Sequence, residues 1–341
     1  MSDERAGADA ARLDRPPHPD WYLDFPESFG RRFTISCDTE EEFDWSGPFT
    51  RERHGTTAMR RLPEIHRRLT AAGVKPLYLV DYPVAADPES VAILRQFVED
   101  GEATIGTQLH PWVNPPFDEE VNVRNSFVGN LPEPLERAKL LRLTEALEQA
   151  FGRRPTVYRA GRYGIGPNTA RLLLDAGYEA DVSVRPLHEY RAEGGPDFSG
   201  IEPRPYRVGG GPLLEVPLSS AFVGHLRRWG RSLYPMSARV TRGRGVLSRT
   251  GLLSRVALTP EGVPLADARE AIERLLDDGL QLLSLSFHSP TVEPGHTPYV
   301  RSDADLADFY RWWDGVLDLL AARGVEPTST EQILAALRSA A

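Results

Sequence analysis

The sequence predicts an α/β protein, a (β/α) barrel of about seven strands with a long insertion, and three observations predict it. Short β-branched apolar runs alternate with helical stretches along the 341 residues. That alternation implies parallel strands joined by right-handed crossovers, hence an open doubly wound sheet or a closed barrel. About seven strands favour the barrel. Finally, Asp38, His110, Arg159 and His288 each end a different predicted strand, and the loops after the strands form the face where a barrel collects its catalytic groups.

Residues 1–30 are polar, Pro-bearing and aperiodic as far as Trp21-Tyr22-Leu23, and read as an N-terminal arm with an aromatic patch near its end. A single domain is expected over 31–341. In its first strand Phe33, Ile35 and Cys37 alternate with Thr34 and Ser36, a period of two. Five acids follow: Asp38, Glu40, Glu41, Glu42 and Asp44. Glu41 and Glu42 read as a solvated loop, whereas Asp38 and Glu40, two apart, can face one side and form a site. The next helix is expected over 57–72, kinked or started late by Pro63. Strand 75–80, helix 88–100 with Pro in its first turn, and strand 103–109 come next.

The stretch 111–134, rich in Pro, Asn and acids, is long for a simple connection and reads as a functional loop. A helix over 133–151 is closed by Gly152, strand 156–158 leads into Arg159, helix 168–176 stops at Gly177, and strand 178–184 contains Asp181. Order then breaks down over about 188–264. That insertion contains a Gly-Gly-Gly-Pro turn at 209–212, a strand over 213–218, and an Arg/Ser/Gly-rich segment, 221–259, with no legible structure. Helix 265–278, strand 280–287 ending at His288, helix 303–323, strand 325–328 and helix 330–340 finish the chain.

Composition excludes several functions. A formal charge of −9 and a pI near 5.5 argue against nucleic acid or an anionic membrane surface as the main partner. Arginines are dense over 227–255, which reads as a solvated surface segment. Cys37 is the single cysteine, so no internal disulfide forms, and its inward strand position marks a small core residue. No run has the length of a membrane span, and the N-terminus lacks the order of an export signal, so the expected compartment is the cytoplasm.

The strand-end residue types suit hydrolysis, metal-assisted or purely acid–base. Asp38 is placed as the base, His288 as the acid, and Arg159 as the partner that keeps Asp38 ionised or orients substrate. Glu40 and His110 carry donors that zinc accepts, but a catalytic zinc takes three protein ligands. Asn114, His296 and Asp44 are the candidates for the third.

Five stretches in order, Thr34-Ile35-Ser36-Cys37-Asp38-Thr39-Glu40, 105–112 around His110, Tyr158-Arg159-Ala160-Gly161-Arg162-Tyr163-Gly164, Asp181-Val182-Ser183-Val184 and 285–290 around His288, resemble the motifs of the polysaccharide deacetylases. That family is carbohydrate esterase family 4, the NodB-homology enzymes, and the last motif with 293–300 resembles its WalW-like branch, associated with surface polysaccharide synthesis. The resemblance implies a distorted (β/α) barrel that removes N- or O-acetyl groups from a sugar polymer with a divalent metal, usually zinc. It makes Asp38 the base, Glu40 and His110 metal ligands, Arg159 the residue steadying the base, Asp181 the acid tuning the final histidine and His288 the general acid. Tyr163 matches the aromatic residue whose backbone amide stabilises the oxyanion. Two features depart from the pattern: Asn114 stands where a second metal histidine is usual, with Gln108 before His110, and Asp-Thr-Glu replaces adjacent aspartates. Two other readings stand beside the hydrolase: an inactive carbohydrate-binding protein of the same fold, and a glycoside hydrolase pairing Asp38 with a second carboxylate.

Overall fold

The computed structural model describes residues 12–52, 54–237 and 243–339. The first eleven residues of the expected arm and 238–242 of the arginine-rich segment lie outside the described residues. Eleven strands are present among these: β1 (Arg32–Thr39), β2 (Leu77–Val80), β3 (Thr104–Leu109), β4 (Val157–Ala160), β5 (Ala180–Asp181), β6 (Tyr206–Arg207), β7 (Leu214–Glu215), β8 (Ser220–Val223), β9 (Ser254–Ala257), β10 (Leu282–His288) and β11 (Glu326–Pro327).

Seven of them run parallel in the order β10-β1-β2-β3-β4-β5-β7, with β6 antiparallel at the edge and β11 beside the start of β1. The sheet curls, and the gap between β7 and β10 is bridged by the chain that follows β7. Val216 and Leu218 N–H donate to Asp181 and Val184 carbonyls, Ser219 N–H donates to Ser284, and Ser286 N–H donates to Leu258. This is a distorted (β/α) barrel of seven parallel strands, as the alternation predicted.

Helices wrap the outside because their apolar residues recur at helical spacing. Leu62, Ile65 and Leu69 of helix Leu62–Ala71 are buried, as are Leu140, Leu143 and Leu147 of helix Glu133–Phe151. Pro63 falls in the first turn of its helix, behind a 3-10 turn at Thr57–Arg61. The late start is thus the option realised, since proline costs nothing where the N–H has no partner.

The barrel interior divides into two storeys. Below, Leu77, Leu79, Val157, Ala180, Leu214 and Leu282 form an apolar cluster closed by Ile333, Leu334 and Leu337 of helix Thr330–Ser339 and by Phe25 and Phe29. Each large apolar side chain buried there contributes about 1.5–3 kcal/mol. That plug leaves the C-terminal mouth of the strands as the polar, open end.

The segment that the sequence left unread contains a second sheet. β8 pairs antiparallel with β9 from Ser220↔Ala257 to Val223↔Ser254, with helices Gly230–Ser237 and Gly243–Arg249 between them. Two strands separated by 30 residues form no hairpin signal, so neither periodicity nor turn chemistry announces them. Among the described residues no helix is long and apolar enough to cross a membrane.

Candidate active site

β1 and β10 are paired so that Asp38 stands opposite His288. Side chains on a strand alternate between faces. Ser36 and Asp38 therefore share the barrel interior with Ser284, Ser286 and His288. Arg159 of β4 reaches the same interior, fully buried, and donates through Nη1 to Asp38 Oδ1, through Nη2 to Ser36 Oγ at 3.0 Å and through Nε to the Val182 carbonyl at 3.1 Å. These bonds fix the guanidinium fork and leave Asp38 Oδ2 facing His288 Nε2 at 3.5 Å.

His288 is held from behind by Glu261, a residue that the sequence reading missed. Glu261 Oε2 lies 2.6 Å from His288 Nδ1, while Oε1 accepts from the His288 N–H at 2.8 Å and from the Thr291 hydroxyl at 2.7 Å. Burial opposes the charge on the imidazole, but Glu261, then Glu40 and Asp38, outweigh it and raise the pKa to about 10. Burial likewise pushes the Glu261 carboxyl upward, yet His288 and the three hydrogen bonds hold it below the usual range. Glu261 follows β9 in the irregular insertion of about 188–264, so nothing in the sequence ties it to the final strand.

Asp181, which the resemblance gave the task of tuning His288, is placed elsewhere. Ala180 and Val182 line the barrel interior, so Asp181 between them projects outward. It accepts from Ser183 N–H at 3.0 Å and the Ser183 hydroxyl at 2.7 Å. Its register partner is Glu215, and burial raises both carboxyls, Glu215 by far the more.

A second cluster sits on the neighbouring strands. Glu40 Oε2 accepts from Gln108 Nε2 at 2.9 Å and lies 3.5 Å from His110 Nε2. His110 Nδ1 faces Glu41 Oε2 at 2.7 Å, Trp112 Nε1 donates to Glu41 Oε1 at 2.8 Å, and Asp81 accepts the Glu41 N–H at 2.7 Å. Glu41 is thus fully buried, where a solvated acid was expected; Glu42 is part-exposed and takes the Ala58 N–H at 2.5 Å. Burial raises Glu40 to about 8 and Glu41 to about 7. Gly161 is required beside this cluster, because a Cβ there meets the His110 ring at 2.1 Å.

Asp38, Glu40 and His288 each offer a donor atom within 4.8 Å of the others, and so do Glu41, Asp81 and His110. Glu40 Oε1 and Gln108 Oε1 are buried without partners. Gln108 turns its amide nitrogen to the cluster, 3.3 Å from His110 Nε2, so the unsatisfied Glu40 oxygen and the imidazole, whose other nitrogen rests on a carboxylate, are the groups that fit a divalent cation with oxygen and nitrogen ligands. The candidates for a third ligand are not in this cluster. Asn114 donates to the Pro115 and Lys139 carbonyls, His296 Nδ1 lies 3.5 Å from Glu42, and Asp44 binds Ser46.

These groups open into a cavity of about 310 Å³ whose walls are aromatic: Phe43, Trp45, Phe49, Trp112, Tyr163, Tyr190 and Tyr299. Tyr163 and Arg162 carry φ of 60° and 54°, left-handed backbone that costs a non-glycine residue about 1–3 kcal/mol and tends to mark functional sites.

Fold and pocket together define an α/β-barrel protein with a carboxylate–imidazole centre at the strand ends. Among solved structures, a candidate polysaccharide deacetylase from Mycobacterium smegmatis is similar over 94% of this chain and 95% of its own, at 19% identity and a TM-score of 0.52. The allantoinase Puue is similar over 95% of this chain and 94% of its own, at 16% identity and a TM-score of 0.50. The 4-alpha-glucanotransferase of Thermococcus litoralis is similar over 90% of this chain and 40% of its own, at 13% identity and a TM-score of 0.50. At these identities the likeness is one of fold. No protein-family model matches the sequence, and no curated protein does.

Proposed function

We propose that this chain is a deacetylase-like hydrolase that removes acetyl groups from a carbohydrate, a sugar polymer or lipid-linked glycan. The observation that carries the reading is Asp38, clamped on one oxygen by Arg159 and facing His288 with the other.

In this reading Asp38 Oδ2 takes a proton from a water molecule as its oxygen attacks the acetyl carbon. Arg159 keeps the carboxylate ionised and pointed. The C–N or C–O bond breaks as His288 Nε2 passes its proton to the departing sugar nitrogen or oxygen, and acetate leaves. Glu261 keeps His288 charged until that moment. The oxyanion that forms in between needs fixed donors, and the left-handed backbone at Arg162–Tyr163 supports the role given to the Tyr163 amide. Glu40 and His110 are the residues suited to hold a divalent cation, zinc by its ligand types. Such an ion supplies Lewis-acid polarisation of the acetyl oxygen when bound.

A glycoside hydrolase pairing Asp38 with a second carboxylate would release reducing ends instead of acetate. Assaying acetate and reducing ends on one panel of acetylated oligosaccharides tests the proposal. Acetate without new reducing ends is expected; reducing ends without acetate overturn it.

A further inference from the structure

Asp38 is paired with Arg159 and Glu261 with His288, but one cation in the pocket wall has no counter-ion among the described residues. Arg162 lines the same cavity and pairs with Glu193. Arg185 also lines it, and no carboxylate among the described residues forms an ion pair with it. Its guanidinium lies 5.1 Å from the centre of the Tyr163 ring, and Nη1 donates one long bond of 3.4 Å to Tyr190 Oη. Nε is shut off from solvent without any hydrogen-bond partner.

A guanidinium carries five N–H donors in a fixed fork, and buried donors in native proteins are almost always matched. One weak bond to a phenol leaves most of that fork unmatched. The neighbourhood increases the positive field. Arg255 donates to the Leu187 carbonyl at 2.9 Å, and Arg255 and Arg244 lie against the Tyr234 ring, again with no acidic partner among the described residues. His188 sits among them, and burial, then Arg185, Arg255 and Arg244, hold its imidazole well below the usual range. Part of the arginine-dense stretch that read as solvated surface therefore backs the pocket wall. A chain of net charge −9 keeps such a cationic spot by local arrangement, which points to an anion drawn from solution.

We propose that the substrate is an acidic acylated sugar, whose carboxylate is received by the terminal nitrogens of Arg185 while its acetyl group faces Asp38 and His288. This rests on the hydrolytic reading of the pocket for the acetyl end alone. The planar fork matches a carboxylate with two parallel hydrogen bonds, and Tyr163 and Tyr190, stacked at 5.8 Å, brace it. Aromatic walls beside the fork suit the apolar faces of a sugar ring.

Calorimetric titration of the full chain with three matched probes tests this: N-acetylglucosamine, N-acetylglucosaminuronic acid and N-acetylglucosamine 6-phosphate. The uronic acid is expected to bind at least about tenfold more tightly than the neutral sugar, the scale of one charge-assisted bidentate contact. Arg185→Gln should abolish the preference, and Arg185→Lys should retain only part of it. Equal binding of the neutral and acidic sugars by the unmodified chain overturns the proposal whether or not either variant folds, and a preference for the phosphate overturns the carboxylate assignment. Acetate release is followed in the same samples. Selective binding without acetate supports the Arg185 site and counts against the hydrolase alone, while acetate release without charge preference counts against Arg185 alone.

Discussion

Asp38 and His288 are register partners across two parallel strands, and their side chains meet at 3.5 Å although 250 residues separate them in sequence. A one-residue slip of β10 against β1 would turn one of them into the helix layer. The acid–base geometry is therefore a property of strand pairing, and the apolar plug beneath it is what keeps the pairing in place.

Glu261→Gln tests whether His288 acts with a charge. Glutamine keeps the shape and one acceptor oxygen but presents an N–H to Nδ1, so the imidazolium loses its counter-ion. A fall in kcat of about 10²-fold, with KM little changed, is expected for an orienting partner of this kind. Unchanged kcat in a folded variant contradicts the assignment of Glu261.

Lys139 tests how the long loop is held. Its ammonium is buried and donates to the carbonyls of Pro111, Asn114 and Pro116 at 2.9, 2.6 and 2.6 Å, with Glu119 at 3.0 Å. Burial lowers its pKa, opposed by Glu119. Lys139→Met leaves those oxygens unmatched and should cost about 3–5 kcal/mol in denaturant unfolding. Hydrogen exchange over 111–119 should accelerate before the barrel strands respond.

Glu136 tests a pH dependence of stability. Its carboxyl is buried, bonded to the Thr169 hydroxyl at 2.5 Å, and burial raises its pKa to about 7 from 4.5. The folded state then binds the proton more tightly than the unfolded one. The stability this contributes is fully present below about pH 4.5 and is lost as pH rises to about 7. Glu136→Gln removes the effect, so the variant should gain up to about 3 kcal/mol on the parent between pH 4 and pH 8. Urea unfolding at both pH values checks it, and a constant difference contradicts it.

His110 tests the cation site. Elemental analysis of the purified chain after exposure to zinc should find bound metal, and His110→Ala should weaken its retention by at least about tenfold. Equal metal in both proteins contradicts the part assigned to His110 and Glu40.

The residues legible in the sequence are those at the ends of regular strands. Asp38, His110, Arg159 and His288 each end a different predicted strand, and the barrel brings their interior faces to one mouth. Asp181 lies inside a predicted strand, 178–184, but that strand is only two residues long in the sheet and the parity of Asp181 faces outward. A residue count cannot reveal which face a strand this short presents. Glu261 and Arg185 were hidden for a different reason: they lie in irregular backbone, where position is set by tertiary contacts rather than by periodicity. Glu41 read as solvent-exposed because an acidic run is usually a surface; only the fold reveals that His110 and Trp112 close over it.

Asp38 as the base is the role on which the hydrolytic chemistry most depends. Acetate released from N-acetylated oligosaccharides by the parent protein and by Asp38→Asn, which conserves the shape and removes the charge, tests it directly. The prediction is acetate release by the parent and a loss of at least about 10²-fold in the variant, with the fold and bound metal unchanged. Equal release by both proteins would contradict it.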